Sequence, residues 1–239
     1  MKASLFASQE EKRRYVQVMF SQMAGHYDLM NRVLSAGRDM SWRRTLVERA
    51  NLSPDARVLD VAAGTGAVTR LLAERVPTGK VIGLDFSRPM LTHAAHKLNS
   101  ATGKHVALIQ ADGLRLPFAD DTFDSVTSAF ALRHATDVAA LFAEMRRVLR
   151  PCGRVACMEI CKPSAPGFRS LFALYFNRIV PLLGRVLVRN SEAYTYLPES
   201  LNRFMTSEQV VQALQAVGFR WVGCQKLMLG TVAIYVGLK

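Results

Sequence analysis

Between residues 56 and 161 the chain alternates short apolar runs with helical patterns, and this alternation limits the fold more than any other feature. Residues 57–63 (RVLDVAA), 80–86 (KVIGLDF), 105–111 (HVALIQA), 123–130 (FDSVTSAF) and 154–160 (RVACMEI) mix β-branched and other apolar residues without strict alternation. Such runs suit strands of a parallel sheet covered on both faces. Helical patterns at about 67–76, 88–99 and 137–149 separate them. Ser87, and Thr136 or Asp137, stand where N-caps belong, and Pro89 falls in a first turn. Strand–helix repetition predicts a doubly wound α/β sheet. Further on, Thr206 and Gln209 have capping-box spacing and Gly218 is a helix stop. Two strands then flank Leu229 and Gly230, a hairpin that puts an antiparallel pair at the sheet edge. The expected fold is therefore a seven-stranded, mostly parallel sheet with an antiparallel C-terminal edge strand.

Two segments fall outside that pattern. Residues 1–50 read as a helical, basic N-terminal segment on the substrate side. Residues 51–239 read as the cofactor-binding domain, with an insertion at about 163–205 rich in aromatics, arginines and prolines. Half of the 239 residues are hydrophobic, which excludes a disordered tail protein. Four cysteines are too few for a disulfide scaffold, so a reduced compartment is expected. Cys157 and Cys161 lie in a strand-like run, which favours packing over zinc, and no metal is expected. Residues 1–15 hold no apolar stretch of secretory type, and no run is long enough to span a membrane. The expected location is cytoplasmic. The formal charge of +12 fits nucleic acid, an anionic membrane surface or an acidic substrate.

The chemistry-bearing residues stand at the ends of the predicted strands. DVAAGTG at 60–66 closes the first strand and opens a helix. Gly64 and Gly66 let backbone approach a ligand, and the helix N-terminus behind Thr65 favours an anionic group. A dinucleotide fingerprint would place a third glycine at position 69, which is Thr69. Asp85 ends the second strand, where an acid can accept both ribose hydroxyls. Asp112, followed by Gly113, stands where an acid can meet the amine of adenine. This order resembles a class I S-adenosylmethionine-dependent methyltransferase. Asp60 is then either a carboxylate favouring the sulfonium by Coulomb attraction or a structural acid of the loop.

Further motifs narrow the resemblance. They are YDLMN at 27–31, WRR at 42–44, LPF at 116–118, DTFD at 121–124, FALRHATD at 130–137, RVLRPCGR at 147–154, EICKP at 159–163 and YTYLPES at 194–200. Over residues 20–237 the chain is similar to the ubiquinone/menaquinone C-methyltransferase family. It differs from the family pattern at Ala67, Ala129, Ala131, His134 and Cys152. The small residue after the fourth strand, placed near the cofactor in the family, is Ala129.

The resemblance implies methyl transfer from S-adenosylmethionine to a ring carbon of a polyprenylated quinol, in menaquinone or ubiquinone biosynthesis. Alternatives are methylation of another lipophilic aromatic ring and a non-catalytic cofactor-binding scaffold. The missing proline-rich motif of nucleic-acid amino-methyltransferases argues against nucleic acid. The resemblance places Arg133 beside the ring. His134 is either the base or a cap of the loop, and Tyr27 and Asp28 would orient the ring from the other side. Arg178, Arg185 and Arg189 fall within about 40° on a helical wheel, which suggests a lid touching anionic lipid. A homodimer is left open.

Overall fold

The computed structural model describes residues 6–98, 105–163, 165–182, 184 and 192–239. The N-terminal segment forms α1 (Gln9–Met23), α2 (Tyr27–Leu34) and α3 (Asp39–Ala50). The sheet-forming part then runs β1 (Arg57–Val61), α4 (Ala67–Arg75), β2 (Lys80–Asp85), α5 (Arg88–Leu98), β3 (Val106–Gln110), β4 (Phe123–Ala129), α6 (Val138–Val148) and β5 (Leu149–Ile160). The insertion contributes α7 (Pro166–Leu174), which runs on into a π-turn (Tyr175–Ile179), and α8 (Glu192–Arg203). The chain closes with α9 (Ser207–Ala216), β6 (Arg220–Leu227) and β7 (Val232–Leu238).

Local chemistry explains the boundaries. Ser87 Oγ accepts from Met90 N at 3.4 Å and Asp137 Oδ1 from Ala140 N at 2.9 Å, so both act as N-caps. Thr206 and Gln209 form the reciprocal capping box, and Gly218 turns the chain at φ +95°. The fifth strand begins at Leu149, not at 154 as its sequence suggests. A bulge at 150–153 lets Leu149 pair with Phe123 before Arg154 pairs with Ser125.

The seven strands are ordered β3-β2-β1-β4-β5-β7-β6. The pairs from β3 to β5 are parallel, and β7 runs antiparallel to both β5 and β6. The C-terminal hairpin lies at the sheet edge, with β7 one place in and β6 outermost. Leu59, Val126 and Val155 are fully buried in the central strands. Each such side chain contributes roughly 1.5–3 kcal/mol of hydrophobic stabilisation. One apolar layer joins the sheet to α6 and α9, and a second joins it to α3 and α4. A third cluster, with Met19, Met23, Met30, Phe176 and Tyr196, ties α1 and α2 to the insertion.

Strand order reverses between β1 and β4, and the crevice beyond their C-terminal ends is where α/β proteins bind ligands. Ala62 after β1 and Phe130 after β4 both hold positive φ there, +58° and +60°. Strained backbone of this kind persists where surrounding structure enforces it. Arg178 is exposed, while Arg185 and Arg189 lie outside the described residues, as do the side chains of Tyr194 and Thr195.

Candidate active site

Two cavities meet at the switch point. The first is walled by Ala62, Gly64, Asp85, Asp112, Gly113 and Ala129. Gly64 N–H donates to Asp85 Oδ2 and Ser87 N–H to Oδ1, both at 2.8 Å. These bonds lock the carboxylate, and each oxygen keeps acceptor capacity for a ligand. Burial raises the pKa of Asp85, and its backbone donors oppose the rise. Asp112 Oδ1 accepts from Leu114 N at 3.0 Å. Its Oδ2 pairs with Arg13 Nη2 of α1 at 3.0 Å, a contact with no sequence signal because the 98 intervening residues carry no pattern linking them.

Three of the expected cofactor residues lie behind this wall. Asp60 does not line the cavity. It is 1% exposed and accepts from Thr69 Oγ1 at 2.7 Å and Thr127 Oγ1 at 2.9 Å. Burial pushes its pKa up to about 6 despite both hydroxyls. Asp60 is thus a structural acid, though hydroxyls rather than loop amides satisfy it. Thr69, standing where a dinucleotide loop has glycine, is one of the donors. Gly66, at φ +79°, packs on α5, where an added Cβ would sit 3.0 Å from that of Ala94. Thr65 is buried and donates to Asp28 Oδ1 at 2.6 Å.

The second cavity, of about 480 Å³, lies between α1, α2 and the insertion. Its lining is mostly apolar and includes Met19, Met30, Trp42, Ile160, Phe172 and Leu197. Phe20, Tyr27 and Phe130 line both cavities and so form the partition. Arg43 supports it from behind, with its guanidinium 5.1 Å from the Phe130 ring centre. Arg133 brings a positive charge to the apolar cavity. Its Nη1 bonds to Glu159 Oε1 and reaches Phe130 O at 3.3 Å.

His134 lines the first cavity and is enclosed by rings. It stacks on Tyr196 with centroids 5.6 Å apart and meets the edge of Phe20 at 5.0 Å. Its Nδ1 lies 3.4 Å from Tyr196 Oη, and its Nε2 has no hydrogen-bond partner. Burial, and then the charges of Arg133 and Lys12, hold its pKa well below the ordinary value. A ring so enclosed and held neutral fits the wall of the cavity better than the base that was one of its two expected roles. Asp28 also departs from its expected place. Its carboxylate binds Thr65 and Lys97 and faces neither cavity, so it braces the loop instead of orienting a ring.

The first cavity suits S-adenosylmethionine. A fixed carboxylate after β2, a second acid after β3 and an open glycine backbone after β1 are the donors and acceptors that ribose, adenine and an amino-acid group need. When bound, this cofactor supplies an electrophilic methyl group on a sulfonium. Fold and site together define a class I S-adenosylmethionine-dependent methyltransferase. The chain belongs to the ubiE/COQ5 methyltransferase family, whose family model matches residues 7–239. It is 39% identical over 239 residues to the demethylmenaquinone methyltransferase of Roseiflexus sp. (strain RS-1), covering 100% of this chain and 99% of that one. It is 42% identical over 219 residues to the Thermus thermophilus protein of the same name, covering 92% and 99%. Among solved structures, the [4+2]-cyclase SpnF matches with TM-score 0.70 and 17% identity over 94% of each chain. A methyltransferase from Aquifex aeolicus matches with TM-score 0.63 and 20% identity, over 88% and 97%. These likenesses support the fold. Among the described residues no helix is long and apolar enough to cross a membrane, and no cluster of metal-ligating side chains occurs.

Proposed function

We propose that this protein methylates a ring carbon of demethylmenaquinol, a polyprenylated quinol, using S-adenosylmethionine. The observation that carries this reading is the apolar cavity with a buried guanidinium, separated from the cofactor cavity only by aromatic side chains. A quinol ring fits such a chamber, and its apolar tail matches the methionine and phenylalanine walls. The names of the relatives point to the same substrate.

Each residue then has a role. Asp85 accepts the ribose hydroxyls, and Asp112 meets the adenine amine. Gly64 and Gly113 allow close approach, while Ala129 bounds the methionine end. Thr65, Gly66 and Asp60 shape the loop from behind. Tyr27 and Phe130 hold the ring with a face toward the cofactor, which aligns the π density of the reacting carbon with the methyl. Arg133 stabilises the oxyanion that develops as a quinol hydroxyl loses its proton. A water held at the guanidinium edge takes that proton, and the ring carbon that gains the methyl group then gives up its hydrogen as a proton to restore the aromatic ring. His134, neutral and ring-stacked, serves as a wall.

The mouth of the apolar cavity exposes Leu171, Leu174, Ile179 and Met228, with Arg178 near the first three in sequence. An exposed apolar rim with basic neighbours favours peripheral contact with an anionic membrane from the cytoplasmic side. The test supplies the protein with S-adenosylmethionine and demethylmenaquinol in anionic vesicles and reads the quinone by mass spectrometry. Gain of one methyl group is expected. An unmodified demethylmenaquinol, with a methylated ubiquinol precursor in a parallel reaction, would move the reading to the other quinone.

A further inference from the structure

Glu159 is a charged residue inside the otherwise apolar end of β5, and its side chain is 0% exposed. A carboxylate there must be paired, because burial without partners is strongly unfavourable. Its partners are specific. Oε1 accepts from Ile160 N at 2.8 Å and from Arg133 Nη1, while Oε2 accepts from Arg133 N at 3.1 Å. One acid thus grips both the backbone and the guanidinium of the same arginine. It also ties the end of β5 to the 3₁₀ turn Leu132–His134 that follows β4. Glu159 lines neither the cofactor cavity nor the apolar one, whereas Arg133 lines the apolar one. The Arg133 Nε is buried and has no hydrogen-bond partner.

We propose that Glu159 is the positioning residue of the methyl-transfer site. It clamps Nη1 of Arg133 so that the remaining guanidinium edge is held toward the quinol oxygen. This rests on the reading of Arg133 as the group that stabilises the quinol oxyanion. The clamp works because an arginine side chain has several rotamers, and the one present satisfies both Glu159 and the Phe130 carbonyl. Fixing it in advance of substrate binding removes reorganisation from the reaction step.

Two measurements test the clamp. In the first, turnover of demethylmenaquinol is compared in wild type, Glu159→Gln, Arg133→Lys and the double variant, with cofactor affinity read by calorimetry. Glu159→Gln should lower kcat about 100-fold with cofactor Kd changed by less than about twofold. In the double variant the two losses should not multiply, since both act through one group. Full kcat in Glu159→Gln, or multiplicative losses, would overturn the clamp. Should Glu159→Gln fail to fold, Glu159→Asp keeps the charge one methylene short and should still lose about tenfold in kcat. Wild-type kcat there overturns the proposal too. The second measurement needs no substrate. The Arg133 Nε–H signal in ¹⁵N NMR, assigned through Arg133→Lys, should be sharp and slow to exchange in wild type and broadened in both Glu159 variants. An unchanged signal sinks the clamp, whereas a sharp signal in an enzyme inactive on demethylmenaquinol sinks only the substrate reading.

Discussion

The cofactor cavity takes its polar groups from backbone amides and two carboxylates at the ends of β1 and β2 and beyond β3, whereas the apolar cavity beside it is made mostly from side chains of α1, α2 and the insertion. Polar groups in the first are already hydrogen-bonded: Asp85 by Gly64 and Ser87, Asp112 by Leu114 and Arg13. The second depends on shape and a guanidinium. A hydrogen-bonded site loses affinity sharply when one acceptor goes, because its donors stay behind unpaired. A shape-dependent site yields gradually as walls change. On the proposed reading Arg133 differs from the rest of that apolar lining, since it would act on charge that appears only during reaction.

Arg133 should therefore show the largest effect. Arg133→Met should lower kcat by about 10²–10³ while cofactor affinity in calorimetry stays within about twofold. Loss of cofactor binding instead would show that the cavities are not separable at this residue. Next comes Asp85. Asp85→Ala should weaken S-adenosylmethionine at least about tenfold, from roughly 1.5–3 kcal/mol per charged hydrogen bond lost. Titration of a quinol analogue should be unaffected, and equal damage to both ligands would break the distinction.

A smaller effect is expected at the rim. Leu171→Asp should raise the apparent KM for vesicle-borne quinol several-fold, on the order of 1 kcal/mol for a partly exposed apolar contact, with kcat kept. An unchanged KM would place substrate entry elsewhere. The smallest change belongs to His134. His134→Asn should keep kcat within about threefold, and the pH–rate profile should lack an inflection near 6.5 from this residue. Its pKa is held low in the folded state, so below about 6.5 the unfolded chain binds a proton that the native ring refuses. Stability should fall as pH drops through that value in wild type, and less so in His134→Asn, as thermal melts at several pH values would show.

The cofactor side is legible in the sequence because its elements are local. A strand, a glycine turn and an acid at the strand end follow one another within a few residues, so the order of residues alone places Gly64, Asp85 and Asp112. Asp60, left between two roles by the sequence, takes the structural one within that same stretch. Its hydroxyl donors, Thr69 and Thr127, come from a following helix and a neighbouring strand, and only the sheet brings them together. Asp28 departs from its expected place for the same reason, since Thr65 and Lys97 reach it from distant positions.

On the substrate side periodicity and spacing are nearly silent, and Tyr27 and Arg133 come into view only through the family motifs. Phe20, Tyr196 and Glu159 carry no periodic signal that separates a site wall from ordinary core. The acid inside an apolar strand is the one hint there, because a buried carboxylate demands a partner. Hydrophobic periodicity and turn chemistry act over a few residues, and they alone determined the doubly wound sheet, its helix caps and the C-terminal hairpin. The placing of α1 and the insertion over the switch point, the partition at Phe130 and the Arg133–Glu159 pair were decided by tertiary packing. Those contacts join residues tens of positions apart, and their energies exist only once the apolar faces of the helices close on the sheet.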